Sequence, residues 1–182
     1  MVILKYQLTE EEYFHFNYYT GWAAPEKRAY RIRYMLRAIL TYVVIAAAYL
    51  LLVQKDTSIT GILIFLAPAL IYFLLIPTLV KRGIRQRSRA TLALPENRNV
   101  LEVGEVIIAD TGIVGKDSMS ESKYTWEAII RKAETPRCYY LYTNSYHAIV
   151  IPKRTLSNAE ERQELKRLFN QHLSLSSEFP DR

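Results

Sequence analysis

Chemistry-bearing residues are scarce in this chain. Its 182 residues include one cysteine, Cys138, and three histidines. A single thiol excludes an intramolecular disulfide framework, a cysteine-rich zinc site and a thioredoxin-like pair. The phosphate-loop, nucleophile-elbow, zincin and dinucleotide patterns GxxxxGK[ST], GxSxG, HExxH and GxGxxG are all missing, and no cofactor is expected. His15 has no ligand-type residue at i+3 or i+4, so it reads as a packed or exposed histidine and not as a metal ligand. Charge is also missing in two places. Residues 38–53 and 59–80 hold no Asp, Glu, Lys or Arg over 16 and 22 positions. Runs of this kind exclude a simple soluble globule and a disordered chain.

What charge there is falls in two blocks. The formal +6 divides into +4 over residues 26–37 and +5 over 81–89, with the remainder of the chain at −3. Arg28, Arg31, Arg33 and Arg37 precede the first apolar run; Lys81, Arg82, Arg85, Arg87 and Arg89 follow the second. A nucleic-acid binder would carry its positive patch on the folded domain. A basic collar around apolar runs instead marks the cytoplasmic flanks of membrane spans and contacts anionic headgroups. Run 59–80 reaches about 33 Å as a helix and spans the ~30 Å hydrocarbon core. The first run needs residues 34–53 to reach about 30 Å, which brings in Arg37; its stem lies along apolar surface while its head reaches phosphates. The expected plan is a two-helix membrane hairpin, 34–53 and 59–80, with an uncharged outer loop 54–58, a basic collar 81–90 and both termini in the cytoplasm. Pro68 and Pro77 are expected to bend the second span. The opening residues MVILKYQLTEEE do not form a cleavable signal peptide.

Before the first span, residues 1–33 read as a short strand (2–8), a helix begun by the capping box Thr9-Glu10-Glu11-Glu12, and the basic stretch. Tyr13, Phe14, Phe16, Tyr18, Tyr19 and Trp22 crowd this piece. Two destinations are open for them, the membrane surface or a face of the C-terminal domain.

Past the collar, in residues 91–182, the pattern changes to period two. Runs at 100–103, 106–109, 113–116, 123–126, 129–133, 138–143 and 147–151 are separated by turn signals at Gly104, Asp110-Thr111-Gly112, Thr135-Pro136-Arg137 and Asn144-Ser145. A capping box at Ser157-Asn158-Ala159-Glu160 announces a helix over 158–173, with Leu165, Leu168, Phe169 and His172 or Leu173 on its core face. Six or seven antiparallel strands closed by one amphipathic helix make an α+β or all-β cytoplasmic domain of pleckstrin-homology-like plan, a sandwich or partial barrel. Asp110-Thr111-Gly112 is also the loop wording of single-lobe aspartic proteases, but the apolar-apolar-Gly turn that fold requires is missing, and a tight hairpin turn is the better reading. Gly112-Ile113-Val114-Gly115 has KH-loop spacing inside a strand pattern and carries little. Cys138 and His147 could meet as a dyad if their strands pair, though nothing orients the histidine; packing is expected. Lys153 and Arg154 at a strand end are the candidate ligand site, for a phosphate. Trp126 reads as a core anchor.

The order and wording of these parts resemble the YcxB-like family of membrane proteins. The resembling residues are Leu8-Thr9-Glu10-Glu11-Glu12-Tyr13 with Phe16-Asn17, then Asp110-Thr111-Gly112-Ile113, Tyr124 to Ile129, and Ala148 to Arg154 followed by Glu160-Glu161. The resemblance implies a bacterial inner-membrane protein with a cytoplasmic domain and no catalytic residues. The expected function is therefore a non-enzymatic, membrane-tethered binding module. Its partners would be the anionic bilayer surface and a protein or small ligand, with a homo-oligomer among the expected assemblies. The rival reading is a membrane effector of a stress or anti-phage system, whose β domain senses a small ligand through a pocket of arginines and aromatics.

Overall fold

The computed structural model describes residues 1–54, 59–156 and 158–173. The outer loop expected at 54–58 therefore lies outside the described residues, except for Gln54. The chain divides into two units, Asn17–Arg87 and Met1–Phe16 with Ser88–Arg182.

In the helical unit a π turn, Tyr19–Ala23, and a 3₁₀ turn, Pro25–Lys27, lead into helix α2, Arg28–Ala48, which continues as a π turn over Tyr49–Gln54. (Helix α1, Glu10–Tyr18, lies in the other unit as far as Phe16.) Arg31 turns back to cap the π turn, donating to the carbonyls of Trp22 at 2.5 Å and Ala24 at 3.0 Å. Trp22 is buried, edge-on to Tyr30 and Tyr34. Helix α3, Ile59–Leu92, passes through Pro68 and Pro77 without interruption. It also outruns the expected span, because Lys, Arg and Gln after Val80 are good helix formers and no proline intervenes before Pro95. The collar residues 81–90 are thus a helical continuation of the apolar run. The Tyr42 hydroxyl donates to the Phe65 carbonyl at 2.6 Å, and Tyr49 meets the Phe65 ring at 5.3 Å. Two stretches, Pro25–Leu52 and Phe65–Leu92, are long and apolar enough to cross a membrane.

The second unit holds seven strands in two antiparallel sheets and no closed barrel among the described residues. Strand β1, Val2–Gln7, pairs with β2, Val103–Ala109, from the far side of the helical unit in sequence. Strands β3, Gly112–Lys116, and β4, Glu121–Tyr124, complete this sheet in the order β1-β2-β3-β4. The other sheet contains β5, Arg131–Glu134, β6, Cys138–Tyr142, and β7, Ala148–Pro152, in chain order. The run expected at 100–103 is not a separate strand. Pro95 starts a 3₁₀ turn through Leu101, and the strand begins at Val103 with Gly104 inside it. Trp126 opens a 3₁₀ turn, donating its ring N–H to the carbonyls of Ala109 and Asp110.

Both faces of β6 are covered, which explains why all five of its residues are buried. Tyr139 and Leu141 face the central core, where helix α4, Ala159–Leu173, delivers Leu165, Leu168, Phe169 and Leu173; the Tyr139 and Phe169 rings lie 5.5 Å apart. Tyr140 and Tyr142 face the other way and meet Phe16 of helix α1, Glu10–Tyr18, at 5.6 and 6.2 Å. Of the two destinations open to the N-terminal aromatics, Phe16 takes the β-sheet, and burying it contributes about 1.5–3 kcal/mol. The first capping box forms in both directions: Thr9 Oγ1 accepts from the Glu12 N–H at 3.2 Å, and Glu12 Oε2 accepts from the Thr9 N–H at 2.9 Å. At α4 it is Asn158 whose carboxamide oxygen accepts from the Glu160 N–H, at 3.0 Å; Ser157 lies outside the described residues.

Candidate functional site

Antiparallel register sorts the inner face of the four-stranded sheet into rows. The first, Val2–Ile108–Ile113–Tyr124, is apolar throughout. The second, Leu4–Val106–Gly115–Ser122, loses its large side chains half-way across. The third pairs Tyr6 with Gly104 and ends in the Asp117–Ser120 turn, where the Asp117 N–H donates to the Ser120 carbonyl at 3.0 Å. Core side chains that the pleat should supply are therefore replaced by two glycines and a serine. The space they leave is a pocket of about 260 Å³ with Ile149 on its far wall. A Cβ added at Gly115 would meet nothing within 4 Å, whereas one at Gly104 would come 3.2 Å from the Lys116 carbonyl. Tyr6 is fixed as one wall because its hydroxyl donates to the Val150 carbonyl at 2.5 Å; burial pushes its ionisation well above the usual phenol range.

The rim is acidic. Glu102 and Asp117 line the pocket. Glu105 and Lys116 border it from strand positions whose side chains alternate to the outer face, where Lys116 Nζ lies 3.2 Å from Glu121, with Lys123 Nζ on that carboxylate's other oxygen at 3.1 Å. The Met119 and Ser120 N–H groups and the Ser120 hydroxyl bind the Asp117 carboxylate and hold its pKa below the usual range. Glu102 accepts from the Ser118 hydroxyl. Glu105 stands in register between Lys5 and Lys116.

Lys153 and Arg154, the site expected from sequence, follow β7 but both face carboxylates. Lys153 Nζ lies 2.6 Å from Glu134 Oε1 and 4.7 Å from the Tyr139 ring centroid. Arg154 grips the buried Glu12 through Nε at 2.7 Å and a terminal nitrogen at 3.0 Å, and that nitrogen also donates to the Gln7 carbonyl at 2.6 Å. Burial raises the Glu12 pKa, but the bonds from Arg154 and Thr9 outweigh it, and the net shift is downward. A phosphate at this position would have to displace two carboxylates. The collar residues are spread over α2 and α3: Arg28, Arg33, Arg37, Lys81, Arg82, Arg87 and Arg89 are exposed, and Arg31 and Arg85 are half-buried. Arg89 Nε is 4.0 Å from Glu10.

Residues 108–169 match the family model of the YcxB-like proteins. The YcxB-like segment runs from β2 to the last turn of α4 and contains Asp110, Cys138 and His147. No curated protein and no solved structure matches the chain. Within the YcxB-like segment Asp110 is an exposed turn residue, 3.4 Å from Arg167 and 3.7 Å from His172. Its neighbour Gly112 has φ +142°, and a Cβ there would strike the Tyr124 carbonyl at 2.5 Å. This is the hairpin turn expected, with Ala109 paired to Gly112 across it. Cys138 and His147 form no dyad. Cys138 pairs with Pro152 at one end of β6 and β7, while His147 lies beyond the Tyr142–Ala148 pair at the other end. Burial, assisted by the Glu12 charge, pushes the Cys138 thiol up to about 11, so it is protonated and unreactive at neutral pH. His172 stacks on Trp126 at 4.7 Å, leaving the core position to Leu173. The pocket, half of whose lining precedes the matched segment, was not recognised from sequence. Its signal was available as glycines at inward strand positions, but Gly104 read as a turn and Gly115 as part of a KH-loop spacing that carried little.

Proposed function

We propose that the chain is a non-enzymatic, membrane-tethered binding module. In this reading α2 and α3 form a hairpin across a bacterial inner membrane, the basic flanks 26–37 and 81–89 lie on its cytoplasmic side, and the β unit is a pleckstrin-homology-like domain that takes a small ligand at its open end. The supporting observation is exposure. The most apolar window of the first candidate span is 0% buried and that of the second 6%. The core helix of a soluble protein would bury that surface, and apolar surface on this scale left open calls for lipid or a partner. The pocket in the β unit then supplies the binding element, since Tyr6 and Tyr124 stand beside a floor of exposed backbone. The effector reading would need arginine in such a pocket, and the described lining has none.

Thermal unfolding of the full-length protein in neutral detergent, with millimolar cationic, neutral and anionic small molecules, tests the binding part. Stabilisation by at least one compound, lost in Gly115→Leu, is expected; no stabilisation by any compound class refutes it.

A further inference from the structure

We infer that the pocket at the open end of the four-stranded sheet selects a small organic cation, a primary ammonium carried on a short aliphatic chain. The inference rests on the binding reading above and narrows it to one ligand chemistry. Size comes first: about 260 Å³ corresponds to roughly nine waters at ~30 Å³ each, enough for a short diamine and too small for a nucleotide or a peptide helix. Charge comes next. Two rim carboxylates, Glu102 and Asp117, stand at the mouth, while the one lysine bordering it, Lys116, is directed to the outer face of the sheet and engaged by Glu121, so the field at the mouth repels a phosphate or carboxylate ligand and attracts a cation. Each carboxylate has lone pairs beyond those its internal bonds use, so Asp117 and Glu102 can accept from an ammonium without releasing their serine partners. The walls supply the rest. Gly115 and Ser122 give a narrow floor, and the faces of Tyr6 and Tyr124 suit an aliphatic chain or its cationic end.

Three four-carbon compounds of matched length test this on the full chain: putrescine, 1,4-butanediol and succinate, titrated by calorimetry in neutral detergent. Putrescine should bind at least about tenfold more tightly than the other two, and its affinity should fall as salt rises. Gly115→Leu, which fills the floor, should weaken it about tenfold or more. Glu102→Gln should weaken it about three- to fivefold, the range of a solvent-accessible ion pair. Gly115→Ala covers the case in which the leucine variant does not fold, and should weaken binding to a smaller degree. Tighter binding of succinate or butanediol, lost in Gly115→Leu, overturns the ammonium assignment while leaving the pocket as a binding site. Putrescine binding unmoved by the Gly115 variants, or no binding by any of the three, overturns it as well, and the last result also removes the binding reading. An ammonium can come from a soluble amine or a lipid headgroup. Putrescine binding that is weaker in phosphatidylethanolamine nanodiscs than in phosphatidylcholine ones assigns the headgroup as source; equal binding assigns the soluble amine.

Discussion

Glu12 and Arg154 are 142 positions apart in sequence, and their contact ties the β1–α1 corner to the turn after β7. Replacing Glu12 by glutamine keeps the shape and removes the charge. The amide oxygen can take the place of Oε2 and keep the bonds from the Thr9 N–H and one terminal Arg154 nitrogen, the latter now to a neutral acceptor and roughly half as strong. The NH2 group replaces Oε1, faces the Arg154 Nε–H donor and loses that bond. A hydrogen bond to a charged group contributes about 1.5–3 kcal/mol. Arg154 is 51% exposed and Glu12 only 11%, so water re-solvates the freed guanidinium cheaply but not the Glu12 end. Glu12→Gln should therefore cost about 1–2 kcal/mol. Glu12→Ala, which also deletes the reciprocal half of the capping box, should cost about 1 kcal/mol more. For a unit of this size 1 kcal/mol moves the thermal midpoint by roughly 4–8 °C, readable from Trp126 fluorescence on a Trp22→Phe background of the whole chain.

The pH dependence follows from the direction of the Glu12 shift. Its folded pKa lies below the ordinary glutamate value of 4.5, so the folded state favours the carboxylate. The stabilisation is complete above that value and disappears as pH falls through the lower, folded pKa. The gap between wild type and Glu12→Gln should therefore be full at pH 7 and close on acidification below the ordinary carboxylate range. An Arg154→Ala cycle should show that the two substitutions are not additive. Equal midpoints at pH 7, or a gap that survives acidification, would refute the argument that this charge pair clasps the corner.

Three further outcomes are expected. Gly112→Val should destabilise the β unit by more than about 3 kcal/mol, because positive φ and a 2.5 Å approach to the Tyr124 carbonyl act together, whereas Asp110→Asn should stay within about 0.5 kcal/mol as a surface change; paired thermal melts decide, and a severe Asp110→Asn defect in a folded protein would revive a catalytic role for it. Cys138 should resist maleimide at pH 8 in the native protein and react quickly once unfolded, since its thiol is buried and its pKa lies near 11; rapid native labelling would contradict the closed packing of β6. On a Cys138→Ser background, a cysteine at Ser58 should react with an impermeant reagent on whole cells and one at Ser177 should not; the reverse pattern would invert the proposed topology.

Sequence periodicity disclosed what is local. Charge-free runs of 16 and 22 residues marked the two apolar helices, and the Thr9–Glu12 pattern marked the start of α1, because each feature is satisfied by neighbours within one or two turns. Features that depend on distant partners stayed hidden. The opening strand alternates like any edge strand, and nothing in VILKYQL names β2, about a hundred residues on, as its mate. Lys153 and Arg154 look like free cations until folding brings Glu134 and Glu12 against them. α3 runs past Val80 because helix propensity continues where apolar character stops, so a boundary drawn from hydropathy marks the end of the apolar surface and not the end of the helix.

The pocket lies between these cases. Once Val106 and Ile108 are known to point inward, strand alternation sends Gly104 inward too, and Ile113 does the same for Gly115. An inward glycine is then a missing core side chain, not a turn. Two such positions on neighbouring strands make a void only if the register sets them side by side, and register is a tertiary property. The pairs Tyr6–Gly104 and Gly115–Ser122 supply that register. They place the void beside Glu102, just before β2, and Asp117 in the β3–β4 turn, which is the juxtaposition that gives the pocket a preferred charge for its ligand.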